Sequence, residues 1–290
     1  MTGRDEAYYS DYQGRPQEFV AAAKHGFLYQ GQYYSWQKKP RGTPALDLPA
    51  EAFVVFLENH DQVANSGAGR RLHQLTSPGR YRAMTAYLLL MPGLPMLFQG
   101  QEFGSSKPFL YFADHGPELA RAVRRGRGEF LGQFPNLASP EMRSRLADPG
   151  NPKTFRRSVL DRADRERHAE AWALHRDLLA LRRDDPVLGC RPVRVDGAVI
   201  GDKAWVLRYF ADDADRLLIV NLGQDLTLEP SPEPLLAPLQ DQAWRILWSS
   251  EAPDYGGGGT PALYRDRSLH VPGEAALVLA PGPLAEDADG

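Results

Sequence analysis

Two short segments constrain the fold of this chain more than anything else in it. Phe53-Val54-Val55-Phe56-Leu57 and Leu94-Pro95-Met96-Leu97-Phe98 are continuous apolar runs that do not alternate. A strand with one wet face alternates, whereas a strand buried on both faces, as in a parallel sheet, reads as an unbroken apolar run. Each run stops abruptly in polar residues: Glu58-Asn59-His60-Asp61 after the first, Gln99-Gly100-Gln101-Glu102 after the second. Between them, Thr76-Ser77-Pro78 supplies a cap residue and an early proline for a helix. That helix runs through Tyr81, Met84, Leu88 and Met91 and ends at Pro92-Gly93. Strand, helix and strand, with both strands uniformly apolar, make a βαβ unit.

The flanking sequence adds helices and then changes period. Phe19, Val20, Ala23 and Phe27 predict a short helix over 17–28, followed by an aromatic loop, Tyr29 to Trp36, and a basic stretch, Lys38 to Gly42. Helices are predicted over 118–130 and over 165–183. In the second, Trp172, His175, Leu178, Leu179 and Arg182 recur every three or four residues; Asp185-Pro186 stops it. Beyond Pro186, strands are predicted at 204–210, 216–222, 243–248 and 275–279, separated by turn residues that include Gly256 to Gly259. This is an all-β unit of about a hundred residues, read as a sandwich.

Composition excludes several functions. A net charge of −3 over 290 residues leaves no electrostatic footprint for nucleic acid or an anionic membrane. The longest apolar run, Ala86 to Phe98, is too short to span a bilayer and is broken by Pro92 and Pro95. The polar first residues do not form a signal peptide. The single cysteine, Cys190, cannot form an internal disulfide, and no Cys/His cluster has metal-ligand spacing, so neither a metal nor a cofactor is expected. A reducing, cytoplasmic setting fits.

In α/β barrels, ligands bind and catalysis happens at the carboxyl ends of the strands. Asn59, His60 and Asp61 leave one strand end, and Gln101 and Glu102 leave the next, so both sets should share a rim. Asn and Asp are also common turn formers, and spacing alone leaves a plain polar turn open. Gln101 and Glu102 could bind a ligand or cap the next helix. Tyr33, Tyr34 and Trp36 could stack on sugar rings or pack the loop; Arg41 could contact hydroxyls or be a surface charge. Asp114 and His115 suit a pocket or a turn equally well. Trp172 and His175 read as core packing.

Read whole, the stretch from Phe53 to Asn65 resembles the last signature block of the α-amylase superfamily, glycoside hydrolase family 13, in which the seventh barrel strand ends in Asn-His-Asp. Leu94 to Gly104 looks like the eighth strand and its loop. Pro108-Phe109-Leu110-Tyr111-Phe112-Ala113-Asp114-His115, with Tyr8-Tyr9, Asp11-Tyr12 and His25 to Gly31, is similar to the maltooligosyltrehalose trehalohydrolase family. The resemblance implies strands 7 and 8 of a (β/α)8 barrel within residues 1–186, a β-sandwich domain at 187–281 and a flexible tail at 282–290. It implies retaining cleavage of the α-1,4 bond beside a terminal trehalose unit of maltooligosyltrehalose or a related α-glucan. Asp61 matches the third carboxylate, a transition-state stabiliser, and His60 the neighbouring sugar ligand. Asn59 reads mainly as a brace of the strand end.

The family's nucleophile and acid/base belong to the fourth and fifth strands, and residues 1–52 hold no strand ending in Arg-x-Asp or a lone Glu. The chain is therefore expected to be the C-terminal part of such an enzyme and inactive alone, its missing strands either encoded upstream, since Met1 need not be the natural start, or carried by a separate N-terminal half as its partner. Two strands cut from a closed barrel should show apolar faces and unpaired edges to water, making the barrel part poorly soluble alone. A branching or debranching enzyme, or a non-catalytic α-glucan-binding protein, are the other readings.

Overall fold

The computed structural model describes residues 1–188, 194–229, 233–265 and 268–284. Its helices are α1 (Pro16–His25), α2 (His60–Asn65), α3 (Pro78–Leu90), α4 (Pro117–Leu131), α5 (Pro140–Ser144), α6 (Pro152–Ser158), α7 (Asp164–Arg167) and α8 (Ala169–Asp184). Its first strands are β1 (Tyr33–Tyr34) and β2 (Lys39–Pro40), a small hairpin, then β3 (Val54–Val55) and β4 (Leu94–Pro95). The C-terminal region carries β5 (Arg194–Gly201), β6 (Ala204–Phe210), β7 (Arg216–Asn221), β8 (Leu226–Leu228), β9 (Gln242–Ser249), β10 (Tyr264–Arg265), β11 (Ser268–Val271) and β12 (Ala275–Pro283). Cys190 lies outside the described residues. Gly282 and Pro283, expected in the tail, are paired with Ala243 and Gln242 because β12 runs on past Leu279.

Two sheets build the C-terminal region: an antiparallel five-stranded sheet ordered β5-β6-β7-β12-β9 and a three-stranded sheet ordered β10-β11-β8. The long apolar runs of β6, β7 and β12 are explained by what lies on each side. Val206, Leu217, Ile219, Leu277 and Leu279 face a core shared with Leu269 and Val271 of the small sheet. The alternate residues, Trp205, Leu207, Leu218, Val220, Ala276 and Val278, face a second core built with helices. Successive side chains of a strand point to opposite faces, so a sheet covered on both sides must be apolar throughout.

That second core joins the two parts of the chain. It contains Val20 and Ala23 of α1, Ala83 to Met91 of α3 and its end, and Leu174 and Leu178 of α8. Phe19 stacks on Trp205 at 4.5 Å with ring planes 8° apart, and Tyr87 meets the same indole edge-on at 5.5 Å. Polar ties cross the same boundary. The Tyr209 hydroxyl donates to Leu90 O (2.8 Å), and Arg82 donates to Ser250 O (2.9 Å) while gripping both carboxylate oxygens of Glu251 (2.7 and 2.9 Å). α3 is buried from Tyr81 to Leu90 on all sides, because the five-stranded sheet covers one flank and α8 another. A helix wrapped this way loses its polar stripe.

The βαβ unit forms as predicted in topology. β3 and β4 pair in parallel, Val54 beside Leu94, with Leu94 N–H donating to Phe53 O and Met96 N–H to Val55 O, each 2.8 Å. α1 stops at Gly26, whose φ of 81° is left-handed and where a Cβ would lie 2.4 Å from the Phe53 ring. The expectation that both strands are buried on both faces is corrected. Val55, Leu57 and Leu97 pack on the core, but Val54, Phe56, Leu94 and Met96 are 59%, 41%, 45% and 36% exposed. The physical reason is that, among the described residues, the pair has no further strand on either edge. Only two residues of each run are therefore ladder-paired.

Candidate active-site surface

Asn59 is the N-cap of α2. Its side-chain oxygen accepts from Asp61 N–H (2.8 Å), and the Gln62 side chain reaches back to accept from Asn59 N–H (3.0 Å). This reciprocal capping box fixes the turn that leaves the strand and leaves His60 and Asp61 on its outer side. Asp61 is 67% exposed, with His60 Nε2 3.4 Å from its Oδ1. Asn59 is thus engaged with backbone, as a brace, while His60 and Asp61 are free to meet a ligand.

Arg127, from α4, holds the other end of α2. Its guanidinium donates to Asn65 Oδ1 (2.6 Å) and to Ala64 O (3.0 Å), and lies over the exposed Tyr111 ring at 4.8 Å. Burial draws this guanidinium down from its ordinary value, with Tyr111 and Asp61 opposing. Nothing in the sequence marks out Arg127, which sits in an Arg-rich helix that looks like a solvated face.

Behind the turn, the two strand-end loops are stitched together by two buried side chains, each bonded to backbone. Glu58 accepts from Leu72 N–H (2.6 Å), while Arg71 donates to Lys107 O and Gln99 O, both at 2.8 Å. Burial raises the Glu58 carboxyl, offset by the Leu72 N–H and Arg71. Gln101 belongs to this interior. It is fully buried, and its side-chain oxygen accepts from Phe98 N–H (3.2 Å). The rim position expected for Gln101 is therefore corrected: its side chain turns inward to satisfy loop backbone. Glu102 is half-buried, close enough to Arg71 and Tyr81 to act on both electrostatically.

The remaining candidates lie in and beside the β1–β2 hairpin. Trp36 is exposed, its N–H donating to Asp11 Oδ2 (3.3 Å), and the Arg41 guanidinium covers the buried Tyr34 ring at 4.5 Å. Asp114 and His115 are exposed, on the chain that follows Tyr111 and Phe112. Trp172 carries Arg165 over its ring at 3.8 Å, and His175 is buried on α8, its Nδ1 2.8 Å from Ala171 O one turn earlier. Among the described residues, no group of three or more His, Cys, Asp or Glu could hold a metal ion, and no helix is long and apolar enough to cross a membrane.

Two buried groups set an acid limit. Burial alone would raise Asp164, but hydrogen bonds from Arg167 and from Ser106 N–H and hydroxyl hold it at about 2. Burial, then Arg71 and His168, hold His73 at about 4, below its ordinary 6.5. Each binds fewer protons folded than unfolded, so its stabilisation is complete above the unfolded pKa and drains as pH falls through the folded one. His73 should act between about pH 6.5 and 4, and Asp164 between about 4 and 2. Glu58 works in the opposite sense, favouring the folded state less as pH rises. The urea midpoint is expected to fall between about pH 7.5 and 5, and to fall less in His73→Gln. An equal fall in both proteins would remove His73 from the explanation.

A parallel βαβ unit with an Asn-His-Asp turn at its first strand end, followed by a sheet-rich C-terminal region, is comparable with a portion of α-amylase-type structures. In structure the chain is similar to a putative α-amylase from Salmonella typhimurium, with a TM-score of 0.75 and 29% identity over 96% of this chain and 44% of that one. It shares its fold with trehalose-6-phosphate hydrolase from Bacillus licheniformis (TM-score 0.50, 14% identity, 79% of this chain and 43% of that one). In sequence it is 39% identical over 230 residues to malto-oligosyltrehalose trehalohydrolase from Deinococcus radiodurans, covering 78% of this chain and 38% of the relative. The same-named protein of Brevibacterium helvolum is 37% identical over 285 residues, 96% of this chain and 44% of the relative. By sequence the chain is similar to the C-terminal part of proteins named malto-oligosyltrehalose trehalohydrolase, and it spans less than half the length of these relatives. Residues 192–280 match the family described as "Domain of unknown function (DUF3459)".

Proposed function

We propose that this chain is the C-terminal part of a retaining glycoside hydrolase that cuts the α-1,4 bond beside a terminal trehalose unit, releasing trehalose from an α-glucan. In this reading β3 and β4 are strands 7 and 8 of a (β/α)8 barrel within residues 1–186, and 187–281 form the C-terminal domain. Asp61 is the fixed carboxylate that favours the oxocarbenium-like transition state, because an anion held near developing positive charge stabilises it more than the ground state. His60 bonds the same sugar, Trp36 offers it a stacking face, and Glu102 and Arg41 stand nearby as polar contacts. The nucleophile and acid/base belong to the preceding part of the same barrel, in a cytoplasmic enzyme.

The observation that carries this reading is the parallel β3–β4 pair, apolar on its open face, with Asn59-His60-Asp61 at its carboxyl end. The test is reassembly. The chain alone is expected to self-associate through Val54, Phe56, Leu94 and Met96 and to release no trehalose. Co-expressed with the N-terminal portion of a relative, it should co-elute as a one-to-one complex and release trehalose from maltooligosyltrehalose. Release by the purified chain alone, or a stable complex without turnover, would end the proposal; glucan binding without turnover in that complex would favour a binding protein instead.

A further inference from the structure

A cleft of about 500 Å³ shares no lining residue with the Asn59–Asp61 turn. It opens at the start of α8, between the first turn of α3, the loop at Gly104 and Ser106, and Tyr255–Gly256 from the C-terminal region. All its walls belong to this chain, so it does not depend on a second polypeptide.

Its chemistry is mixed in a particular way. Tyr81, Ala171 and Leu174 supply apolar surface. His73 stands among them with a buried Nδ1 that has no hydrogen-bond partner. His168 Nδ1 lies 3.1 Å from Phe103 O; since a carbonyl only accepts, this nitrogen carries the proton and Nε2 of the neutral ring is left as an acceptor. The first turn of α8 has no capping side chain, so its leading backbone N–H groups lack a side-chain partner, and the aliphatic stem of the exposed Glu170 stands beside Gly256.

These groups select among ligand classes. An anion finds no free cation, because Arg82 is already held bidentate by Glu251, and it meets the Glu170 carboxylate. A purely apolar ligand would leave the acceptor Nε2 of His168 unmet, at a cost. A pyranose suits all of them. It has an apolar C–H face for the floor, and hydroxyls that each both donate and accept.

We propose that this cleft binds one neutral pyranose ring, at a site separate from the Asp61 surface. That the ring is a glucose unit of an α-glucan rests on the proposed function; that it is a sugar rests on the cleft itself. The test is saturation-transfer NMR of the full chain with maltotriose, a method that tolerates self-association. Saturable transfer is expected. Ala171→Phe, which fills the floor 3.8 Å from where a Cβ at Gly104 would stand, should weaken it about tenfold or more. Glu170→Ala, an exposed change that leaves the fold alone, should weaken it about threefold. No transfer, or transfer untouched by both cleft variants, overturns the proposal. Transfer lost with Asp61→Ala and kept with Ala171→Phe places the glucan on the other surface, which overturns the cleft and leaves the proposed function standing.

Discussion

In the reassembled enzyme, Asp61→Ala is expected to lower kcat for trehalose release by about 10²- to 10³-fold, the range for losing one electrostatic contact that matures in the transition state. KM should move little, since the contact strengthens only as charge develops. Asp61→Asn should lose nearly as much: it keeps the shape and removes the charge. Assembly should survive both changes, because the side chain is mostly exposed and the turn is held by the backbone bonds of Asn59 and Gln62. Full activity in Asp61→Asn would show that the carboxylate charge plays no part.

Trp205→Ala is expected to destabilise the isolated chain by about 3–5 kcal/mol, the usual cost of emptying a fully buried indole site. Trp205 is wholly buried between Phe19 on one side and Tyr87 on another. Its ring touches helices from the first part of the sequence, while its backbone belongs to the five-stranded sheet. Helical and sheet signals should therefore be lost in one transition at a lower denaturant midpoint, in the variant as in the parent. Two separate transitions in the parent would show that the shared core is not cooperative. The self-association expected of the chain is a separate matter, since it arises at the open face of β3 and β4.

The sequence carried much of this, and its failures are instructive. The parallel unit was legible because Phe53–Leu57 and Leu94–Phe98 are apolar without a break. The same feature misled about burial: composition records what a strand faces in a complete fold, and here one face of the pair has no cover. β6, β7 and β12 were legible as strands, but their double burial waited on knowing that α1, α3 and α8 lie across the sheet. β5, with polar and glycine residues, and the short β8, β10 and β11 gave no comparable signal. At the site, position left the Asn59-His60-Asp61 turn open between a plain turn and a ligand contact, and the family resemblance of the whole stretch singled it out. Gln101 was misplaced because sequence places a residue at a strand end without saying which way its side chain turns. Arg127 and the Glu58–Arg71 pair were missed because their partners lie many residues away.

The wrapping of α3 bears on how a second polypeptide would meet this one. Because that helix is clamped between sheet and α8, the spacing and tilt of the two short strands it connects are settled before any encounter. A newcomer would meet a ready-made mould rather than a floppy ribbon, and little of the binding energy would go into ordering this side. Recognition would then fall to the incoming strands, whose side chains must match a relief cast in advance by residues far from the seam.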